Sequence, residues 1–146
     1  MDFVGKPLEF APYLGNAKRE WSKAQENFLG LVEHWQSLCT EQFGGLVSVI
    51  QVNSKPELQG VVIDKAYAVE LRPITVGESG FAEVVIKVLF SDAVHAEAGR
   101  FLVNRRGNVV KEDGTVLVDI DSDYGSFTIF TSIAKVVLET PYPKIV

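Results

Sequence analysis

The chain has 146 residues, of which 47% are hydrophobic and 23% charged, a composition that suits one folded domain and excludes intrinsic disorder. Its net charge of -5 and pI near 5.0 disfavour nucleic acid and anionic membrane surfaces as partners, because both call for positive protein surface. The lone Cys39 rules out an intramolecular disulfide, and no apolar run approaches the roughly 20 residues of a membrane span, so a cytoplasmic location is expected.

Residues 1–15 read as an irregular arm. The stretch carries an early acid and two prolines and lacks a sustained apolar run, so a secretory signal is not expected. Phe3, Val4, Leu8, Phe10, Tyr13 and Leu14 are apolar enough to lie against the body.

Asn16 is a good helix N-cap, and helical spacing holds from there to Gln42. Ala17, Trp21, Ala24, Phe28, Leu31, Trp35, Leu38 and Gln42 step alternately by four and three, and all but Gln42 are apolar. Leu29, Val32 and Cys39 widen the stripe, which predicts packing on a globular core. Gly44 and Gly45 end the helix.

Strands follow. Residues 46–52 form a short β-rich run. Residues 61–72 alternate, with Val61, Ile63, Tyr67, Val69 and Leu71 expected on one face and Asp64, Glu70 and Arg72 on the other. Residues 81–90 place Ala82, Val84, Ile86, Val88 and Phe90 together, and "GESG" at 77–80 reads as the preceding hairpin. "RRG" and "EDG" mark further hairpins between runs at 100–104, 108–111 and 115–120. In residues 127–139, Thr128, Ser132, Lys135 and Glu139 form one polar stripe, which predicts a helix ending before Pro141. Residues 140–146 are a tail.

The expected fold is one α+β domain spanning 1–146. It has a long N-terminal helix, an antiparallel meander of five or six strands, and a C-terminal helix, with both helices on one sheet face. The other face is incompletely polar. Val85 and Leu89 lie there beside Glu83 and Lys87, so something is expected to cover part of it: the arm, the tail, a second subunit or a ligand.

Chemical motifs are sparse. Asp119, Asp121 and Asp123 match the start of an EF-hand loop, but Tyr124 stands where glycine is needed and Phe130 where the bidentate glutamate belongs. A turn before the last helix, capped by Ser126, accounts for the same residues. His95 and Glu97 share the His-x-Glu spacing of zinc deaminases, but one cysteine cannot supply the Cys pair that chemistry needs. Cys39 and His34 do not share a helix face, which argues against a catalytic pair. Walker, dinucleotide-binding, nucleophile-elbow and His-Glu-x-x-His patterns are absent. No cofactor or metal is expected.

The missing motifs favour a binding role over an enzyme. The first expectation is a small interaction or regulatory protein, of the inhibitor, chaperone or immunity type, that binds another protein or a second copy of itself. Its candidate surfaces are the second sheet face at Val85 and Leu89, and the hairpin with Arg100, Arg105, Arg106 and Asn108 meeting an acidic partner. The alternative is a small-molecule-binding domain or enzyme with a pocket between helices and sheet, using His95, Asp92, Arg72 and Tyr67.

Overall fold

In the computed structural model, which describes residues 1–52 and 55–142, a 3-10 turn at Pro7–Glu9 leads into helices α1 (Phe10–Leu29) and α2 (Val32–Glu41). The strands are β1 (Val47–Gln51), β2 (Glu57–Val62), β3 (Lys65–Val76), β4 (Ser79–Leu89), β5 (His95–Val103), β6 (Val109–Val110) and β7 (Val116–Val118). Helix α3 (Gly125–Glu139) follows. The sheet runs in chain order from β1 to β7, and every neighbouring pair is antiparallel. The α+β meander is as expected, with seven strands rather than five or six among the described residues. Residues 143–146 of the expected tail lie outside the described residues.

The extra strand comes from a hairpin inside residues 61–72. Ile63 (φ 45°) and Asp64 (φ 64°) both take positive φ, the geometry of a type I′ turn. The turn ends β2 at Val62 and reverses the chain into β3. Val61 and Tyr67 therefore face opposite sides of the sheet, which corrects the single-strand reading. Neither residue is a glycine or asparagine, so the usual sequence signal is missing.

Helix α1 opens well before Asn16. Pro12 sits in its first turn, where a missing N–H costs nothing, and Asn16 Oδ1 instead accepts from the Arg19 guanidinium. Only the stretch before Phe10 remains outside the α-helix, so the irregular arm is shorter than 1–15. The expected long helix is also interrupted. Gly30 N–H donates to the Glu26 carbonyl at 2.9 Å and Leu31 N–H to the Phe28 carbonyl at 3.1 Å. This tightened turn precedes the start of α2. Both helices still bury the predicted stripe, through Ala24 and Phe28 on α1 and Val32, Trp35, Leu38 and Cys39 on α2.

Trp35 anchors the core. Its indole stacks on Phe130 of α3 at 5.1 Å between centroids, meets the Phe28 ring edge-on at 5.4 Å and donates Nε1–H to the Ser126 carbonyl at 3.0 Å. Ser126 thus lies within α3 and braces Trp35 rather than capping the helix. The polar stripe of α3 is as predicted: Thr128, Ser132, Lys135 and Glu139 are all exposed.

All three helices share one core with alternate strand residues, including Val49, Val62, Tyr67, Val69, Val84 and Ile86. They therefore cover one face of the sheet. Ala68, Phe81, Val85 and Val110 are also buried but lie outside that core, on the face that no helix of the described residues covers.

Candidate functional site

The uncovered face is a lattice of paired charges around Val85. Cross-strand register sets Glu70, Val85 and Arg100 in one row, with Ala68, Lys87 and Glu97 beside it and Arg72, Glu83 and Leu102 on the other flank. Lys87 Nζ lies 2.9 Å from Glu70 and an Arg72 nitrogen 2.7 Å from the same carboxylate. Arg100 pairs with Glu83 at 3.4 Å and also with Glu97. Val85 is 0% exposed, and its cross-strand neighbours are the long charged residues Glu70 and Arg100, whose aliphatic stems suit such cover. Leu89, at the end of β4, is half-buried.

The electrostatics follow from this pairing. Burial alone would raise the Glu70 carboxyl, but hydrogen bonds from Lys87 and Arg72, together with their charges, outweigh it and hold the group below its ordinary value. The Glu97 carboxyl is likewise held low, by its hydrogen bond from Arg100. Arg100 is thus engaged within the chain and offers no open fork to an anion. A groove of about 620 Å³ opens beside Glu83 and Arg100 on this face, with Ile74, Val76, Leu102, Val110 and Leu117 as apolar lining and Lys111, Glu112 and Asp113 at its charged end.

The β5–β6 hairpin divides its residues between two roles. Asn108 is only 8% exposed. Its Oδ1 accepts from Ile120 N–H at 3.0 Å, and its own N–H donates to Asn104 Oδ1 at 3.1 Å. Asn108 is therefore an internal pin. The Arg105 carbonyl accepts from Asn27 Nδ2 of α1 at 2.7 Å, which fixes the hairpin against the helix. Arg105 and Arg106 are exposed, and among the described residues neither guanidinium forms an ion pair.

Arg105 opens onto a larger groove, of about 1080 Å³, between the leading arm, α1 and the β3–β4 turn. Val4, Phe10 and Tyr13 give it apolar walls, while Lys23, Glu78 and Arg105 bring charge. Tyr13 Oη donates to Thr75 Oγ1 at 2.7 Å, tying the start of α1 to the end of β3. The arm does not fold onto the body as its composition led us to expect. Every residue from Met1 to Phe10 is exposed, Phe3 at 87% and Leu8 at 95%. The available signal was periodicity: the arm's apolar residues match neither helix nor strand spacing, so they have no common face to bury.

The remaining candidates stay apart. Tyr67 is buried on the helix side with its hydroxyl donating to the Ser48 carbonyl at 2.8 Å, and burial pushes its phenol well above the ordinary value. Arg72 lies on the opposite face. His95 heads β5, and Asp92 lies in the turn before it. His34 Nδ1 is 2.8 Å from Ser126 Oγ, but that hydroxyl also receives Trp35 Nε1–H at 3.0 Å, a structural brace. Cys39 is buried, and burial pushes its thiol up, as for an inert small hydrophobe.

Asp119 and its neighbours form a turn. Asp119 Oδ1 accepts from Asp121 N–H at 2.8 Å, and the Asp119 carbonyl accepts from Ser122 N–H at 3.1 Å. Among the described residues, no group of three His, Cys, Asp or Glu is placed to hold a metal ion, and no helix is long and apolar enough to cross a membrane. No family model, curated protein or solved structure matches the chain.

Proposed function

We propose that the protein acts by binding another protein through the leading arm and the groove beside it. The observation that carries this reading is the exposure of Phe3, Val4, Leu8 and Phe10 next to a groove walled by Val4, Phe10 and Tyr13. Exposed apolar surface of this kind gains free energy when a partner removes it from water. Lys6, Arg19, Lys23 and Arg105 border the same groove together with Glu9, Glu20 and Glu78, so the partner segment best suited to it is apolar with charges of both signs at its rim.

The sheet face at Val85 is the weaker surface. Its charges are already paired within the chain, and covering them would cost desolvation with no new partners gained. The hairpin arginines enter the reading through Arg105 rather than Arg100.

The test compares variants for retention of a partner that co-purifies with the protein. Leu8→Asp and Arg105→Glu are expected to lose the partner, while Arg72→Ala on the sheet face keeps it. A partner that survives Leu8→Asp and leaves with Arg72→Ala would place binding on the sheet face instead.

A further inference from the structure

A cleft of about 380 Å³ lies between the β5–β6 hairpin, the start of β4 and the start of β7. Its polar lining is rich in hydrogen-bond donors. Asn108, 8% exposed, spends its Oδ1 on the Ile120 N–H at 3.0 Å. Turning the amide over would set Nδ2 against that N–H, so the side chain's orientation is fixed and Nδ2 stays a donor. Among the described residues Nδ2 makes no hydrogen bond, yet it is not a sealed, unsatisfied atom. It therefore opens to the cleft that Asn108 lines. A carboxamide placed this deep normally has partners at both ends.

Asn104 repeats the arrangement. Its Oδ1 accepts from the Arg106 N–H at 3.0 Å and the Asn108 N–H at 3.1 Å, so its Nδ2 is also left as a donor among the described residues. Arg105 and Arg106 line the same cleft, and among the described residues neither guanidinium forms an ion pair. Arg100 is the contrast, its fork taken by Glu83 and Glu97. Glu20 supplies the carboxylate of the lining, and its Oε1 is engaged by the Gly80 N–H at 3.2 Å. Ser79 adds a hydroxyl, which can donate or accept.

We propose that this cleft binds a carboxylate carried on a small apolar body. Donors left over beside acceptors already used call for an anion. Two arginines against one glutamate leave a single positive charge in the lining, which matches a carboxylate, whereas a phosphate brings a charge of about -1.5 to -2. Phe81 and Val116 wall the cleft and suit the carbon that bears the carboxylate. The site stands independently of the arm. Arg105 borders both grooves, but Asn104, Arg106 and Asn108 line the cleft and not the groove beside the arm.

The test is a titration of the full chain, followed through the side-chain amide signals of Asn104 and Asn108 in heteronuclear NMR. Phenylacetate serves as a free acid, N-acetylglutamate α-amide as the acidic side chain of a protein partner, and inorganic phosphate as the contrast, all at equal ionic strength. Saturable shifts of both amide signals are expected with at least one carboxylate, the tighter of the two identifying its source, and phosphate is expected to bind more weakly. Asn108→Asp keeps the acceptor for Ile120 and replaces the donor with a negative charge. Arg106→Gln removes the guanidinium from an exposed side chain and leaves the backbone N–H on Asn104. Each is expected to weaken carboxylate binding by at least about tenfold, as loss of a charge-assisted hydrogen bond does, while Leu8→Asp on the arm leaves it unchanged. Amide signals unmoved by both carboxylates, tighter binding of phosphate, or full binding by the Arg106→Gln protein would overturn the proposal.

Discussion

Tyr13 Oη donates to Thr75 Oγ1 at 2.7 Å, linking residues on two elements far apart in the chain. It is the side-chain bond that holds the first turns of α1, and so the root of the arm, to the sheet. Tyr13→Phe removes it and keeps the ring on Phe10, now 5.7 Å away between centroids. The expected result is faster amide exchange over residues 10–15 with a stability loss below about 1 kcal/mol, since the bond is open to water. Unchanged exchange there would show that the arm's root is held by other contacts.

Ile63 is strained where it stands. A β-branched residue at φ 45° crowds its Cβ against the backbone. Asparagine tolerates that conformation and retains the N–H that Leu46 accepts. Ile63→Asn is expected to stabilise the protein by about 0.5–1 kcal/mol in urea unfolding, the side chain being 56% exposed and costing little buried area when replaced. A loss of stability would mean that the turn does not adopt the type I′ form.

Glu70 makes acid stability testable. Its pKa is depressed in the folded protein, so its contribution is fully present above the unfolded value of about 4.3 and is lost as pH falls through the lower folded value. Glu70→Gln is expected to flatten the loss of stability with acid below about pH 4.3. At neutral pH it leaves Lys87, 14% exposed at its side chain, without that partner, for a cost of about 1–2 kcal/mol. An unaltered acid limb in the Glu70→Gln protein would remove Glu70 as its source.

Gly60 is a space requirement rather than a turn. A Cβ there would stand 2.0 Å from the Ser48 carbonyl oxygen and 2.7 Å from the Tyr67 hydroxyl. The backbone oxygen cannot swing away, so Gly60→Ala is expected to destabilise the protein by about 2–3 kcal/mol in chemical denaturation. A neutral substitution would show that β1 moves freely over β2.

Much of this architecture is legible in the chain. The stripe from Ala24 to Leu38 and the polar line from Thr128 to Glu139 each mark a buried and a solvent side, because helical packing imposes its period on composition. The "GESG" turn is equally visible, with Gly77 at φ 63°. The Ile63–Asp64 hairpin is not, because its residues lack the chemistry that positive φ usually selects. The start of α1 was obscured by Asn16, a residue whose side chain bonds within the helix instead of capping it.

The candidate surface is less legible, because apolar residues in an arm look the same whether they pack inward or await a partner. Arg100 shows the same difficulty in a charged residue. Its neighbours in sequence suggest an open hairpin, but cross-strand register brings Glu83 to it. Sequence distance hides the Glu83 contact, and the pairing of β4 with β5 reveals it.

The central claim is that the arm and its groove hold another protein, and the most direct measurement is native mass spectrometry on the protein isolated gently from its own host. The account predicts a complex containing a second, different polypeptide, present with the wild-type chain and lost with Leu8→Asp. A bare chain or its homodimer, identical for wild type and Leu8→Asp, would contradict it.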